Sequence, residues 1–589
     1  MKGYYKAAVR VLCGAAFCTL ACADPLPPPP DHPQIDENGV DVQSQLLQYA
    51  HQDLSIGPAD HHGLSYTLYY SSQSWRDSFS NVLTDVEPGQ GSGPETDSVA
   101  VGNHSETFSG AIPTQGDGSR LDGQSYYLKD GTVASFGHFV YGSTDPTTLT
   151  QTNAYYADYL QYPDGVRLTF HYRDDTGGGY QNTRLQSVTT NTGFQIKYYY
   201  QANTMTSDVA SRAPWTTVTQ VVAINNAVEY CDPNADSCAL SNPWPQAQYS
   251  LSGNYLYETD ATGGQTRLTN TPTSFAIKTP DSANDNRVYT IGLVYDPWIG
   301  GQTAKVTQAS LDGRVTNYVF SYSGTSHTTT VATSAPLSDN RTYTANMGVP
   351  GVISFTNAVN STTKFAYDPN FNRPTTITSP EGNWTQFVYD NDPTGVNTVT
   401  NPRGNITLTT ANPKPGSNLA PLSESWVFPA CTTLDSSLIT CNQPTSYTDP
   451  RNATTSYTYD PTHGGKLTET LPADANGIQP VNRYQYAQQY AWVKNSSGNY
   501  VTAPTPIWVL TAERTCLTSA TVNGACAAGV SDEVTTSYYY GPNSGPNNLL
   551  LRGKLVAYNG QSRQTCYGYD MYGNRISETA PRAGLTSCP

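Results

Sequence analysis

The densest histidine site in the chain is Asp60-His61-His62, which could offer two imidazole ligands from one loop. On an extended strand, neighbouring side chains point to opposite faces, so the two rings are not expected to share an ion. Asp174 and Asp175 lie beside the glycine run 177–179. A glycosidase needs a second carboxylate at a set separation, and none can be assigned, so these acids read as a solvated hairpin tip. The stretch PGQGSGP at 88–94 has proline at both ends and Glu87 and Glu95 as neighbours, which suits a loop rather than a phosphate cradle. The sequence has no GxSxG elbow, HExxH, Walker A loop, EF-hand loop or strand-linked GxGxxG. It therefore assigns no catalytic residue, no cofactor and no metal ligand, and predicts a protein that is not an enzyme.

The cysteines bear on location rather than catalysis. Cys13, Cys18 and Cys22 fall in an N-terminal leader, in which Lys2, Lys6 and Arg10 precede the short apolar run VLCGAAFCTL and then Ala21-Cys22-Ala23. This reads as a secretory signal cut after Ala23, with Ala21 and Ala23 as the small residues of the cleavage site. Cys22 is a poor lipidation match, because Thr19 stands three residues before it. The remaining cysteines, Cys231, Cys238, Cys431, Cys441, Cys516, Cys526, Cys566 and Cys588, form four neighbouring pairs along the chain. Pairing within each would tie local loops in an oxidising compartment, although spacing does not fix connectivity. The gaps are too wide, and histidines too few nearby, for a zinc set. The chain is read as secreted, periplasmic or cell-surface, with no transmembrane segment after the leader.

The elements that would position these residues are strands. Charged residues are 13% of 589, against a usual share of about a quarter, and 43 Tyr, 48 Gly and 41 Pro help fill the difference. Tyr, Thr and Val fit a pleated surface, and Gly, Asn, Asp and Pro supply turns, so an all-β chain follows. Net charge is −16, and −19 once the leader's three cations are removed, which would repel nucleic acid.

An aromatic pair at i and i+2 recurs at Phe170/Tyr172, Tyr198/Tyr200, Phe320/Tyr322, Phe365/Tyr367, Phe387/Tyr389, Tyr457/Tyr459, Tyr484/Tyr486, Tyr538/Tyr540 and Tyr567/Tyr569. A period of two puts both rings on one strand face, where they are expected to stack on the rings of neighbouring copies. Four copies run on into aspartate, giving Tyr367-Asp368, Tyr389-Asp390, Tyr459-Asp460 and Tyr569-Asp570. Aspartate opens turns by accepting a backbone N–H two residues on, so each strand should end there. The spacing of these acids from the turn residues Gly382, Gly404, Asn452 and Gly584 defines a 22-residue hairpin unit.

The segments YTYDPTHGGKLTETLPADANG and CYGYDMYGNRISETAPRAG resemble the YD repeats of the RHS family. The segments 53–79, 126–136 and 162–172 resemble the region that precedes the repeats in such proteins. The resemblance implies stacked YD-repeat β-hairpins in a spiralling, hollow shell, of a kind that often encloses a C-terminal effector such as a toxin. The plugging and self-cleaving core segment of full-length members is not found before Pro589, so the shell is expected to be incomplete. Its exposed strand edge is expected to aggregate or to pair with a second chain.

The organisation read from the sequence is a signal peptide at 1–23, a Pro-rich linker at 24–34, a β-rich opening region at 35–290, and a YD/RHS repeat array at 291–589. Insertions at 413–443 and 491–535 carry two of the cysteine pairs. The expected function is that of an exported, non-enzymatic structural protein, part of a shell that encloses or presents an effector encoded elsewhere. The alternative is a cell-surface adhesin binding glycans through Trp75, Trp215, Trp244 and Trp298, aromatics that the repeat does not explain. Partners would then be a second shell half, an effector or glycans, and not nucleic acid.

Overall fold

A computed structural model describes residues 34–588 apart from 72–73, 90–94, 110–111, 115–117, 176–181, 206–211, 298–299, 335–338, 350, 370–372, 391–402, 431–437, 530, 543–544, 582–584 and 586. Strands take 57% of the chain and helix 2%, so whatever core exists is made by sheets. One antiparallel sheet dominates. It starts at Arg120–Asp122, passes through Ser125–Tyr127, Val133–Ser135 and Tyr159–Gln161, and then takes up nearly every later strand in sequence order as far as Arg575–Thr579. Among the described residues no ladder joins its two end strands, and the sheet is open.

The turns explain why successive strands pair. Gly301–Leu311 and Arg314–Ser323 are joined by Asp312-Gly313, both at positive φ (49° and 84°), and Leu551–Tyr558 and Gln561–Tyr569 by Asn559-Gly560 (47° and 73°). Two-residue loops with positive φ at both positions match the right-handed twist of the flanking strands, and Asp-Gly and Asn-Gly adopt them at least cost. Within the insertion 491–535 the chain forms two small separate hairpins, Trp492–Lys494 with Tyr500–Thr502 and Thr521–Val522 with Ala525–Cys526.

Two smaller sheets sit before the large one. One has three strands, Gln48–Ile56, Leu64–Ser71 and Ser74–Asp77; the other has six, between Val82 and Tyr156. They cover the first part of the large sheet, and the main hydrophobic core lies there, with Ile56, Tyr66, Phe79, Phe136, Ile196 and Tyr198 among its members. Segment 34–47 forms a second core by laying Val40, Val42 and Leu47 on Phe275, Tyr289, Tyr318 and Val331. The same segment is hydrogen-bonded there. Tyr318 Oη donates to Asp36 Oδ2 (2.6 Å), Tyr289 Oη to the Asn38 carbonyl (2.8 Å) and Thr329 Oγ1 to the Val42 carbonyl (2.9 Å). This packing runs across residue 290, joining the start of the chain to strands on both sides of it.

Farther along, the sheet loses its cover. Phe194–Tyr200 and Val218–Asn225 each bury five consecutive residues, as covered strands must. Thr362–Tyr367 buries only Phe365, Trp384–Tyr389 buries none, and Lys466–Thr470 buries only Lys466. At these three strands the repeat array is a single layer with two accessible faces, whereas Tyr318 and Val331 are covered by segment 34–47 and Ile507 and Val509 join the main core. It also curls back. Lys129 Nζ donates to the Gly404 carbonyl (2.9 Å), Trp508 N to that of Asp164 (2.7 Å), Lys494 N to that of Asn226 (2.8 Å), and Gly57 N to that of Tyr572 (2.9 Å). A seam thus joins loops of 404–572 to loops of 57–226.

Candidate functional site

The repeat carries a specific local architecture. At each of Tyr172, Tyr200, Tyr367, Tyr389, Tyr459, Tyr486, Tyr540 and Tyr569, a β-bulge immediately precedes the tyrosine in its pairing with the next strand. The extra residue lies on the partner strand, as Gln186, Thr375 and Thr407 do opposite Tyr172, Tyr367 and Tyr389, and it shifts the register by one at the tyrosine. In each case the tyrosine hydroxyl donates to a backbone carbonyl earlier in the chain: Tyr367 to Val352 (3.0 Å), Tyr389 to Pro374 (2.6 Å), Tyr459 to Pro444 (3.0 Å) and Tyr569 to Leu551 (2.9 Å). Tyr172, Tyr200, Tyr486 and Tyr540 do the same to Ala157, Leu185, Lys466 and Leu510.

The aspartate that follows closes the turn. Asp570 Oδ1 accepts from the backbone N–H groups of Tyr572 (2.9 Å) and Asn574 (2.8 Å), and Asp460 Oδ1 accepts from Thr462 N (2.8 Å). Asp368 and Asp390 instead pair with Arg373 (3.1 Å) and Arg403 (2.9 Å). A ring ladder was the expectation for the aromatic faces. The recurring partner is a cation from a neighbouring strand: Arg373 lies 4.5 Å from the Tyr389 ring centre, Lys466 5.5 Å from Tyr457 and 5.3 Å from Tyr484, and Arg575 5.4 Å from Tyr567. The quadrupole of each ring attracts the cation, whose stem covers the ring.

At the seam, Asp60-His61-His62 lies in a turn and not on a strand. The two rings are 4.4 Å apart and both reach one carboxylate: Asp164 Oδ2 is 2.7 Å from His61 Nε2 and 3.1 Å from His62 Nε2. The expectation of opposite faces fails because the turn breaks the alternation of a strand. His62 Nδ1 is also 3.0 Å from Asp60 Oδ1. Burial opposes a charge on His62, but hydrogen bonds to Asp164 and Asp60 outweigh it and push its pKa up to about 9. Burial would raise the Asp164 carboxyl, but the two histidines hold it well below the usual carboxylate range. The Asp164 carbonyl receives Trp508 N–H, and His463 stacks on Trp508 at 4.5 Å, so this ion-pair cluster sits where the repeat array meets the beginning of the chain.

A second cluster escaped the sequence reading. The strand Gln48–Ile56 has a bulge between Gln52 and Leu54, which turns Asp53 inward beside Leu54. Glu258 enters from the strand Tyr255–Thr259 of the large sheet, directly opposite Tyr249 on the strand Gln246–Ser252. The Tyr249 hydroxyl donates to Asp53 Oδ2. His51 Nε2 stands 3.4 Å from Glu258 Oε2 and 3.7 Å from Asp53 Oδ1. Burial, and then the charge of Glu258, push the Asp53 carboxyl up to about 8.

The other residues singled out in the sequence are dispersed. Disulfides join Cys231 to Cys238, Cys516 to Cys526 and Cys566 to Cys588. Cys441 is disulfide-bonded, and Cys431 lies outside the described residues. Trp215 is fully buried in the short helix Arg212–Thr216. Trp244 is buried with its indole N–H donating to Glu229 Oε2 (2.7 Å), and Trp75 packs on Tyr70 and Phe275. These three are packing residues rather than open platforms, Trp75 on a strand, Trp215 in a helix and Trp244 in a loop; Trp298 lies outside the described residues. Asp174 Oδ1 accepts from Thr183 Oγ1 (2.6 Å) across its hairpin and is 3.1 Å from His138 Nε2. The leader with Ala21 and Ala23, residues 177–179 and residues 90–94 lie outside the described residues. Among those described, no helix is long and apolar enough to cross a membrane.

No family model matches the chain, and no curated protein matches it. Among solved structures it is similar to the crystal structure of TcdB2-TccC3-Cdc42, with 11% identity over 91% of this chain and 26% of that chain and a TM-score of 0.29. The Tc holotoxin pore of Photorhabdus luminescens shows 11% identity over 91% of this chain and 26% of that one, with a TM-score of 0.31. The N-terminal domain of the effector protein SpvB from Salmonella typhimurium strain LT2 shows 10% identity over 50% of this chain and 99% of that one, with a TM-score of 0.15. The chain spans about a quarter of the length of the first two.

Proposed function

We propose that this chain is an exported, non-enzymatic section of an RHS-type shell wall, which encloses or presents an effector polypeptide. The observation that carries this reading is the single layer. Strands such as Thr362–Tyr367, Trp384–Tyr389 and Lys466–Thr470, which bury almost nothing on either face, are suited to separating two spaces and poorly suited to forming a solid core. The tyrosine hydroxyl clasps, aspartate turns and cations over rings give such a wall stability without a second layer. The seam gives it curvature. Three disulfides fit an extracellular or periplasmic site. Trp75, Trp215 and Trp244, the described aromatics on which the adhesin reading drew, are taken up in packing, which disfavours that reading.

The reading is tested by fusing a protease-sensitive polypeptide behind Pro589 and measuring its digestion. The wall reading expects cleavage to be slower than that of the same polypeptide free in solution. Cleavage at the free rate in a correctly folded fusion would refute it.

A further inference from the structure

Glu258 and Asp53 are buried carboxylates, with side chains 1% and 0% exposed. No donor of good geometry reaches Glu258 Oε1, Glu258 Oε2 or Asp53 Oδ1, although all three are closed off from water and His51 Nε2 stands 3.4 Å from Glu258 Oε2. Uncompensated charge of this kind is expensive, and two carboxylates together are worse than one. His51 Nε2 faces both of them, and the three donor atoms, one nitrogen and two carboxylate oxygens, lie within 4.8 Å of one another. Metal–ligand bonds of about 2.0–2.2 Å place neighbouring donors about 3–4 Å apart, close to the 3.4 and 3.7 Å separations seen at His51.

We propose that His51, Asp53 and Glu258 bind a divalent transition-metal ion that staples the three-stranded sheet to the large sheet. Two carboxylates neutralise the ion's charge, and the imidazole selects a zinc- or manganese-like ion over calcium, which requires more oxygen donors. The Tyr249 hydroxyl on Asp53 Oδ2 orients that carboxylate and leaves Oδ1 to the ion, as outer-shell partners of metal ligands do. The His51 side chain is 34% exposed, which provides the route of entry and room for water as a further ligand. The Asp53 bulge is then the device that aims a ligand, since regular alternation would not have buried both Asp53 and Leu54.

The test is isothermal titration of the whole chelator-treated chain with Zn²⁺, Mn²⁺ and Ca²⁺, each alone, with melting followed in parallel. The expected result is one equivalent of Zn²⁺ or Mn²⁺ bound, a higher Tm in its presence, and no comparable effect of Ca²⁺. Glu258→Gln and Asp53→Asn should abolish both the binding and the Tm shift. His51→Gln, at the partly exposed position, gives the same reading without disturbing the buried pair. His62→Gln, in the other histidine cluster, should bind as the unaltered chain does. No stoichiometric ion, or binding unchanged in His51→Gln and Glu258→Gln, would overturn the proposal. So would carboxyl substitutions that only raise the Tm, since that is the behaviour of two acids sharing a proton.

Discussion

The hydroxyl of Tyr389 donates to the backbone carbonyl of Pro374 at 2.6 Å, reaching from the last residue of one strand to the first of the strand before it. The contact accompanies a register shift at Tyr389, where Thr407 is the extra residue on the following strand, and it recurs with Tyr367 and Tyr459, so it is the repeat's clasp rather than a local accident.

Tyr389→Phe keeps the ring and the Arg373 cation over it but removes the donor. Each such replacement should cost about 0.5–1.5 kcal/mol. The effects of Tyr367→Phe and Tyr459→Phe should add to it in large part, because the three hydroxyls bond different carbonyls. Denaturant unfolding of the single and triple variants measures this. No loss in the triple variant would mean that the clasp is not stabilising.

The seam should weaken in alkali. His62 has a folded pKa of about 9, above its unfolded value of about 6.5, so its contribution is fully present below about pH 6.5 and is lost as pH rises through about 9. The Asp164 carboxyl is depressed, so its contribution is present above about pH 4 and is lost as pH falls. His463, stacked on Trp508, has its pKa pushed down by burial, away from this alkaline step. Amide exchange at Trp508, whose N–H bonds the Asp164 carbonyl, should accelerate above about pH 9 beyond its intrinsic rate, and His62→Gln should remove that alkaline step.

Reduction should free loops without melting the sheet. The Cys566–Cys588 bridge closes the longest of the described loops, with a sequence separation of 22, and ties the end of the chain to the last strands. Its removal should cost about 3 kcal/mol locally. Limited proteolysis after reduction should therefore cut first beyond Thr579, with far-UV circular dichroism unchanged. Early cleavage inside 352–470 would contradict this.

The last strand, Arg575–Thr579, is exposed at four of its five positions, with Ile576 68% exposed. Such an edge offers unpaired backbone groups to another chain. Light scattering should show self-association of the unaltered chain, and Ile576→Lys should reduce it. A monomer in both cases would show that the edge is blocked.

The strand-by-strand repeat and the aspartate turns were legible because each is a local property, a period of two followed by a residue that caps its own turn. The clasp left a trace that the period alone does not explain: the second aromatic of every copy from Tyr172 to Tyr569 is tyrosine and never phenylalanine. A hydroxyl conserved along one chain asks for a partner, but the contact goes with a register shift, and a register shift has no residue signature here. The rule of alternating faces misplaced His61 and His62, because it holds for strands and these residues lie in a turn. Asp53 and Glu258 are 205 positions apart and meet only through the packing of one sheet on another, which no local pattern reports. Trp215 and Trp244 read as loop aromatics, but Trp215 lies in a short helix and both are buried.

The central claim is that the repeats form one curved layer around a space. Small-angle X-ray scattering of residues 24–589 tests it most directly. A hollow wall predicts a distance distribution with its maximum shifted to longer separations than for a solid particle of equal mass, and a deficit of scattering mass at the centre. A distribution fitted by a solid ellipsoid, or by a string of separate compact beads, would contradict it.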